Sequence, residues 1–245
     1  MRAAGSIAGG RGRRGTSALV ARRSHRPYAP PPVRQTCPRC LRRADLCLCA
    51  DLAPAPSRTR VVILQHPREA RLAICSAWLA RLALANAELH RGVLFDENAR
   101  LEEVCASPGT ALLFPGPQAA PAGSRSGDPP SHLVVVDGTW HQAERLIGRS
   151  RLLSELPRLS VVPDGGLGYG DLRREPQAHT LSTLEAIALA LSALEGDPAR
   201  FAPMRRAFQR MVAHQLEYAR GARRNPRHRP GRGRARAAAG EPDGG

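Results

Sequence analysis

The chain contains no lysine: all 37 of its basic residues are arginine. With abundant Ala, Gly and Pro, that skew resembles the codon bias of a GC-rich genome, so the charge is function or in part mutational drift. Aromatic residues make up only 4% of the sequence, and the core must therefore be built mainly from Ala, Leu and Val. No apolar run approaches the ~20 residues of a membrane helix, which excludes an ordinary spanning segment. The N-terminus lacks a continuous apolar stretch, so no secretory signal is expected, although an acid-free arginine leader also fits a mitochondrial transit peptide. Neither G-x-G-x-x-G nor G-x4-G-K-[ST] occurs. The run Gly165-Gly166-Leu167-Gly168 lacks the strand-to-helix setting that a dinucleotide site needs. A soluble, cytoplasmic protein is expected.

What is present is enough to fold. Apolar residues reach 42% of a 245-residue chain, which excludes wholesale disorder. The net charge of +16 is unevenly placed. Residues 1–34 hold eight Arg and no acid, and residues 220–245 hold eight Arg against Glu241 and Asp243. The 21 Arg and 19 acids between them leave a body of only +2. Two arms of that composition bury too little apolar surface to fold and are expected to be disordered. Their functional reading is a sequence-blind grip on nucleic-acid phosphates. The alternative is a solvated tail at one end and an overextended start at the other.

Four of the six cysteines crowd together as Cys37, Cys40, Cys47 and Cys49. In an intracellular chain such a cluster reads as metal before disulfide. The first pair has ordinary zinc-knuckle spacing. In an extended segment residues i and i+2 share a face, so the second pair can also reach one ion. A closed four-thiolate zinc site is structural, and a knuckle is expected over residues 35–56. Cys75 and Cys105 lie in apolar stretches and read as small core residues.

Beyond the knuckle, strands are expected at Val61–Gln65, Ala111–Phe114, Leu133–Val136 and Leu159–Val162, with Gly116–His132 a loop. Helices are expected at Ala70–Ala85, after Trp140 to about Ile147, at Ser182–Leu194 and at Pro203–Arg220. Strands alternating with helices predict an α/β domain over 57–219 around a mostly parallel sheet. Ligands bind beyond the carboxyl ends of such strands, which singles out the loops Gln65–Glu69, Pro115–Gln118 and Asp137–Gln142.

Each candidate in those loops has a structural alternative. Asp137 or Thr139 caps a helix, and Thr139 with Gln142 fits a capping box. Trp140 is a stacking platform or, taken alone, core packing under the helix. Ser182 and Glu185 form a second capping box, while an exposed helix start beside Thr183 can also receive an anion. Arg173 and Arg174 place two cations just upstream. His66, Arg68 and Glu69 contact phosphate or ribose, or form a turn fixed by Pro67 with an exposed ion pair.

Taken in order, CPRC…CLC, ILQHPRE, LLFPG, VVVDGTW-x-x-A and LSTLEA resemble the DTW-domain family over about residues 37–218. The resemblance loosens at Ala73–Trp78 and at Tyr169–Leu172. It implies a SPOUT-like fold with a C-terminal trefoil knot. It also implies transfer of the 3-amino-3-carboxypropyl group of S-adenosylmethionine to N3 of a uridine in tRNA, releasing methylthioadenosine. An RNA methyltransferase and a non-catalytic zinc-knuckle RNA-binding protein are the alternatives. In that scheme Asp137 is the preferred base, or it stays ionised and holds the donor's ammonium or sulfonium. An ordinary Asp, with a pKa of ~3.9, needs burial to serve as the base. Trp140 stacks on the uracil. Backbone of Leu113, Phe114, Pro115, Gly116 and Gly138 lines the adenosine pocket with Thr139. Ser182, Thr183 and Glu185, or Arg173 and Arg174, hold the donor carboxylate. The chain fits a monomer or a homodimer equally.

Overall fold

Runs such as Val61–Leu64 and Leu133–Val136 are apolar on both faces, so they can only be strands covered on both sides. The computed structural model bears this out; it describes residues 35–72, 74–124, 127–161 and 181–224, with side chains described as far as residue 221. These residues belong to a single unit. Six strands pair in parallel: β1 (Arg60–Gln65), β2 (Ala87–Arg91), β3 (Thr110–Leu113), β4 (Ala120–Pro121), β5 (His132–Asp137) and β6 (Arg158–Ser160). Their order in the sheet is β2-β1-β5-β3-β6-β4.

The strand period of two sorts the core into two layers. Val61, Ile63, Leu133 and Val135 face one side, where they meet α1 (Ala77–Ala83), α5 (Thr183–Glu195) and α6 (Pro198–Arg224). Val62, Leu64, Leu112 and Val134 face the other, against α2 (Ala99–Ala106), α3 (Trp140–Arg149) and α4 (Arg151–Ser154). The mostly parallel, helix-flanked α/β architecture therefore holds. Helix α5 is apolar over most of its surface because it lies between the sheet and α6. Gly196, at φ +67°, ends it in the left-handed conformation that glycine takes without strain. Asp197 then caps α6 by accepting from the Arg200 N–H at 3.1 Å. Phe201 and Phe208, fully buried on α6, are each worth roughly 3–5 kcal/mol against alanine.

Several elements depart from the sequence expectation. The helix expected over Ala70–Ala85 is a short 3-10 turn at Glu69–Arg71 followed by α1. Strand β2 and helix α2 were not expected. Helix α6 begins at Pro198, not at Pro203, which lies inside it, and it ends at Arg224. The connection from β6 to α5, residues 162–180, is outside the described residues, and so are Arg173, Arg174 and the Tyr169–Leu172 departure. The same holds for residues 1–34 and 225–245. Among the described residues no helix is long and apolar enough to cross a membrane.

Candidate active site and cysteine cluster

Strands β1, β5 and β3 are neighbours in the sheet, so the three loops at their carboxyl ends lie side by side. In the β1–β5 register Gln65 stands opposite Asp137, each two residues beyond an inward-facing apolar residue. Both side chains therefore continue the face that packs against α5. Asp137 is 6% exposed and is held from both sides. Its Oδ2 accepts from Gln65 Nε2 at 2.9 Å, and its Oδ1 accepts from Thr183 Oγ1 at 2.6 Å. The backbone N–H of His66 donates to the Asp137 carbonyl at 2.8 Å.

The Gln65 amide is fully buried and fully used. Its Oε1 accepts from Arg91 Nε at 3.0 Å, which fixes which end of the amide faces Asp137. Its second N–H is directed at Cys75 Sγ, 3.1 Å away. Burial pushes the Cys75 thiol up from its ordinary value, keeping it protonated beside the carboxylate. The sequence singles out Gln65 only as the first residue of the 65–69 loop, with no role of its own, and gives Cys75 as a small core residue. Neither signal is local: Gln65 lies 72 residues from Asp137.

Trp140 opens α3 at the rim of the same strand ends. It is 53% exposed, so it does not pack under the helix as its type alone suggested. Its ring stacks on Phe114 with centroids 4.9 Å apart and planes 25° apart, and its Nε1 donates to Glu144 at 2.9 Å. Arg158 lies over Phe114, 5.9 Å from the ring centroid. Leu113 and Phe114 are buried at the end of β3, whereas Pro115 and Gly116 are exposed. Thr139 caps α3 in a complete capping box with Gln142. Gly138 is confined by that box, since a Cβ there would come within 3.1 Å of Gln142 Cβ.

The start of α5 is equally committed. Ser182 and Glu185 form a second complete capping box and are both buried. Glu185 Oε2 accepts from Ser182 N at 3.1 Å and from its Oγ at 2.8 Å. The helix start thus already carries one carboxylate of its own, with Asp137 against Thr183. In the 65–69 loop, His66 Nδ1 accepts from the Arg68 N–H at 3.2 Å, and the Arg68 side chain is exposed. Glu69 is buried at the foot of this loop.

The four clustered cysteines place their Sγ atoms within 4.8 Å of one another. Cys37 and Cys49 are 3.6 Å apart, and Cys40 and Cys47 are 3.7 Å apart. Four sulfurs ~2.3 Å from a tetrahedral zinc would be ~3.8 Å from each other, so the donor set fits that ion. The backbone N–H groups of Cys40 and then Arg39 pull the Cys37 thiol down to about 6, toward the thiolate that a metal requires. Cys49 is pushed up to about 12, chiefly by burial and then by its neighbouring thiols, the repulsion that a cation would relieve. The cluster is not an appendage. Cys40, Leu48 and Leu52 belong to the core that contains α1, α5 and α6. Arg42 Nη2 donates to the Cys75 carbonyl at 2.7 Å, and Trp78 Nε1 donates to the Arg39 carbonyl at 2.9 Å.

Comparison with known proteins gives this arrangement a family. The DTW domain matches residues 34–216. A Drosophila melanogaster protein named tRNA-uridine aminocarboxypropyltransferase 2 is 31% identical over 196 residues, covering 77% of this chain and 78% of its own. A Macaca fascicularis protein of the same name is 29% identical over 201 residues, covering 78% and 67% respectively. An Arabidopsis thaliana protein named tRNA-uridine aminocarboxypropyltransferase A is 30% identical over 201 residues, covering 67% and 74%. No solved structure matches the chain. On the match to three quarters of its length and the likeness to these relatives, the chain belongs to the DTW-domain family.

Proposed function

We propose that the protein is a tRNA-uridine aminocarboxypropyltransferase that takes its alkyl group from S-adenosylmethionine and places it on uracil N3. The names of the relatives support the reaction class. The observation that carries the reading is the buried Asp137 carboxylate, fixed by Gln65 and Thr183 beside an exposed Trp140.

The chemistry asks for those groups. Uracil N3 is a poor nucleophile until its proton leaves, and Asp137 is the group assigned to take it. The N3 electron pair then attacks the methionine γ-carbon. The bond from that carbon to sulfur breaks, its electrons neutralise the sulfonium, and methylthioadenosine departs without needing an acid. Because both Asp137 oxygens already accept hydrogen bonds, the carboxylate is oriented before the substrate arrives, which is the condition for efficient proton transfer. The stacked Trp140–Phe114 pair offers an aromatic face to the uracil. Backbone of residues 113–116 and 138 lines the adenosine side. Ser182 and Glu185 are engaged in their own cap, which favours Arg173 and Arg174 as the anchors of the donor carboxylate. His66 and Arg68 border the RNA, and the arginine-rich segments 1–34 and 220–245 add affinity without choosing the uridine. Residues 35–56 form the zinc knuckle, 57–219 the SPOUT-like catalytic domain, and the knot lies in its C-terminal part.

Trp140→Ala should raise the KM for tRNA by roughly 5- to 150-fold, the span expected from ~1–3 kcal/mol of base stacking. Trp140→Phe should retain most of the affinity. Steady-state kinetics that leave KM unchanged in Trp140→Ala would remove the stacking role. The reading as a whole is tested by nucleoside mass spectrometry of tRNA from a strain lacking the gene. An aminocarboxypropyl uridine should disappear, and its persistence at the normal level would sink the assignment.

A further inference from the structure

We propose that the groove between the cysteine knuckle and the end of α6 is a nucleobase subsite, which holds a nucleotide of the RNA substrate other than the reacting uridine. The inference rests on the tRNA-modifying reading above.

The groove encloses a cavity of about 290 Å³ whose lining includes Leu41, Leu46 and Leu48 from the knuckle and Met211, His214 and Tyr218 from α6. None of these residues takes part in the Asp137 site. An unstacked base needs a flat apolar surface and hydrogen-bonding groups at its edge. Tyr218, 47% exposed, supplies an aromatic ring to the lining, and Leu41, 55% exposed, an apolar side chain. His214 and Gln215, both partly buried in the lining, present polar atoms to a base edge.

Leu41 has φ +58°, the only non-glycine with positive φ among the described residues. Glycine would hold that conformation without strain, yet the position carries a large side chain that faces the groove and is otherwise exposed.

Charge narrows the choice of occupant. Helix α6 contains seven arginines against the single acid Glu217; Arg200 pairs with Glu195 and Asp197 and Arg210 with Asp51, and the helix leads into the arginine-rich residues 225–245. A polyanion that approaches along α6 therefore meets cations on the helix and an apolar aromatic slot at its end. Single-stranded RNA combines phosphates outside with flat bases inside, and it matches that pattern. An acidic protein segment would match the charge as well; the tRNA-modifying reading is what favours a nucleotide in the slot.

The test uses the full chain and fluorescence anisotropy with labelled, unmodified tRNA. Tyr218→Ala should raise Kd roughly 5- to 150-fold, as expected for the loss of one stacked base. Its salt dependence should keep the wild-type slope because no phosphate contact is removed. Tyr218→Phe should bind within about twofold of wild type, since the aromatic face remains. Leu41→Gly, which frees the backbone while opening one wall, should weaken binding without lowering Tm. A Tyr218→Ala protein that binds tRNA within twofold of wild type overturns the subsite, and that is the result a groove built for an acidic protein would give. Equal weakening in Tyr218→Phe also overturns it, because stacking would then not be the cause. Wild-type protein that fails to bind tRNA at all removes the functional reading and the subsite together, whereas normal wild-type binding with no Tyr218 dependence removes the subsite alone.

Discussion

Asp137→Asn should lower kcat by about 10²–10⁴-fold, the usual contribution of a positioned general base. The protein should stay folded, because the new amide can satisfy the same neighbours. Its oxygen accepts from the Gln65 amide, and its N–H can donate to Thr183 Oγ1, whose hydroxyl proton is free to turn away. Affinity for S-adenosylmethionine, measured by calorimetry, should change less than threefold. Should donor affinity instead collapse with kcat at saturating donor preserved, Asp137 would be an anchor for the sulfonium or ammonium group, not the base. Gln65→Leu provides a check on positioning. It leaves the carboxylate in place but removes one of the two donors that orient it, so kcat should fall while donor affinity holds.

The second large effect concerns the cysteines. Stripping metal from the purified protein, or replacing Cys40 by Ser, should lower Tm by roughly 10 °C or more, since a domain of this size loses about 2–4 °C per kcal/mol. Zinc-finger peptides draw ~10–16 kcal/mol from their ion, so even a partial share of that energy exceeds the threshold. The knuckle shares its core with α1, α5 and α6 through Cys40, Leu48 and Leu52, which is why a local loss should be felt by the whole domain. Arg42 reaches from the knuckle to the carbonyl of Cys75, whose thiol is hydrogen-bonded to Gln65, so activity should fall alongside stability. Metal analysis of fresh protein should find close to one zinc per chain. Less than about half an equivalent, or an unchanged Tm after chelation, would count against a structural ion.

Much of this architecture was readable from residue order, and the failures have physical causes. The buried strands β1, β3 and β5 announced themselves because a parallel strand covered on both faces must be continuously apolar. Strand β2 did not, because Ala87–Arg91 lies at the sheet edge, where only its first residue is buried. The helix expected from Pro203 begins at Pro198 instead: proline suits a first turn, Pro198 holds that position, and the helix accommodates the second proline further along. Trp140 was ambiguous because it shares a helical face with Ala143 and Ile147, both buried. Its place as the first residue of α3 puts it at the rim instead, on Phe114. The DGTW segment marks the candidate site at the end of β5, but its carboxylate is held by Gln65 and Thr183, 72 and 46 residues away, and no local pattern reveals such partners.

The central claim is the identity of the transferred group. Purified protein incubated with S-adenosylmethionine and unmodified tRNA should release methylthioadenosine in step with a new N3-substituted uridine. Chromatography of the nucleoside products measures both at once. Release of S-adenosylhomocysteine with a methylated nucleoside would contradict the account, because the methyl carbon and not the γ-carbon would then be facing the base.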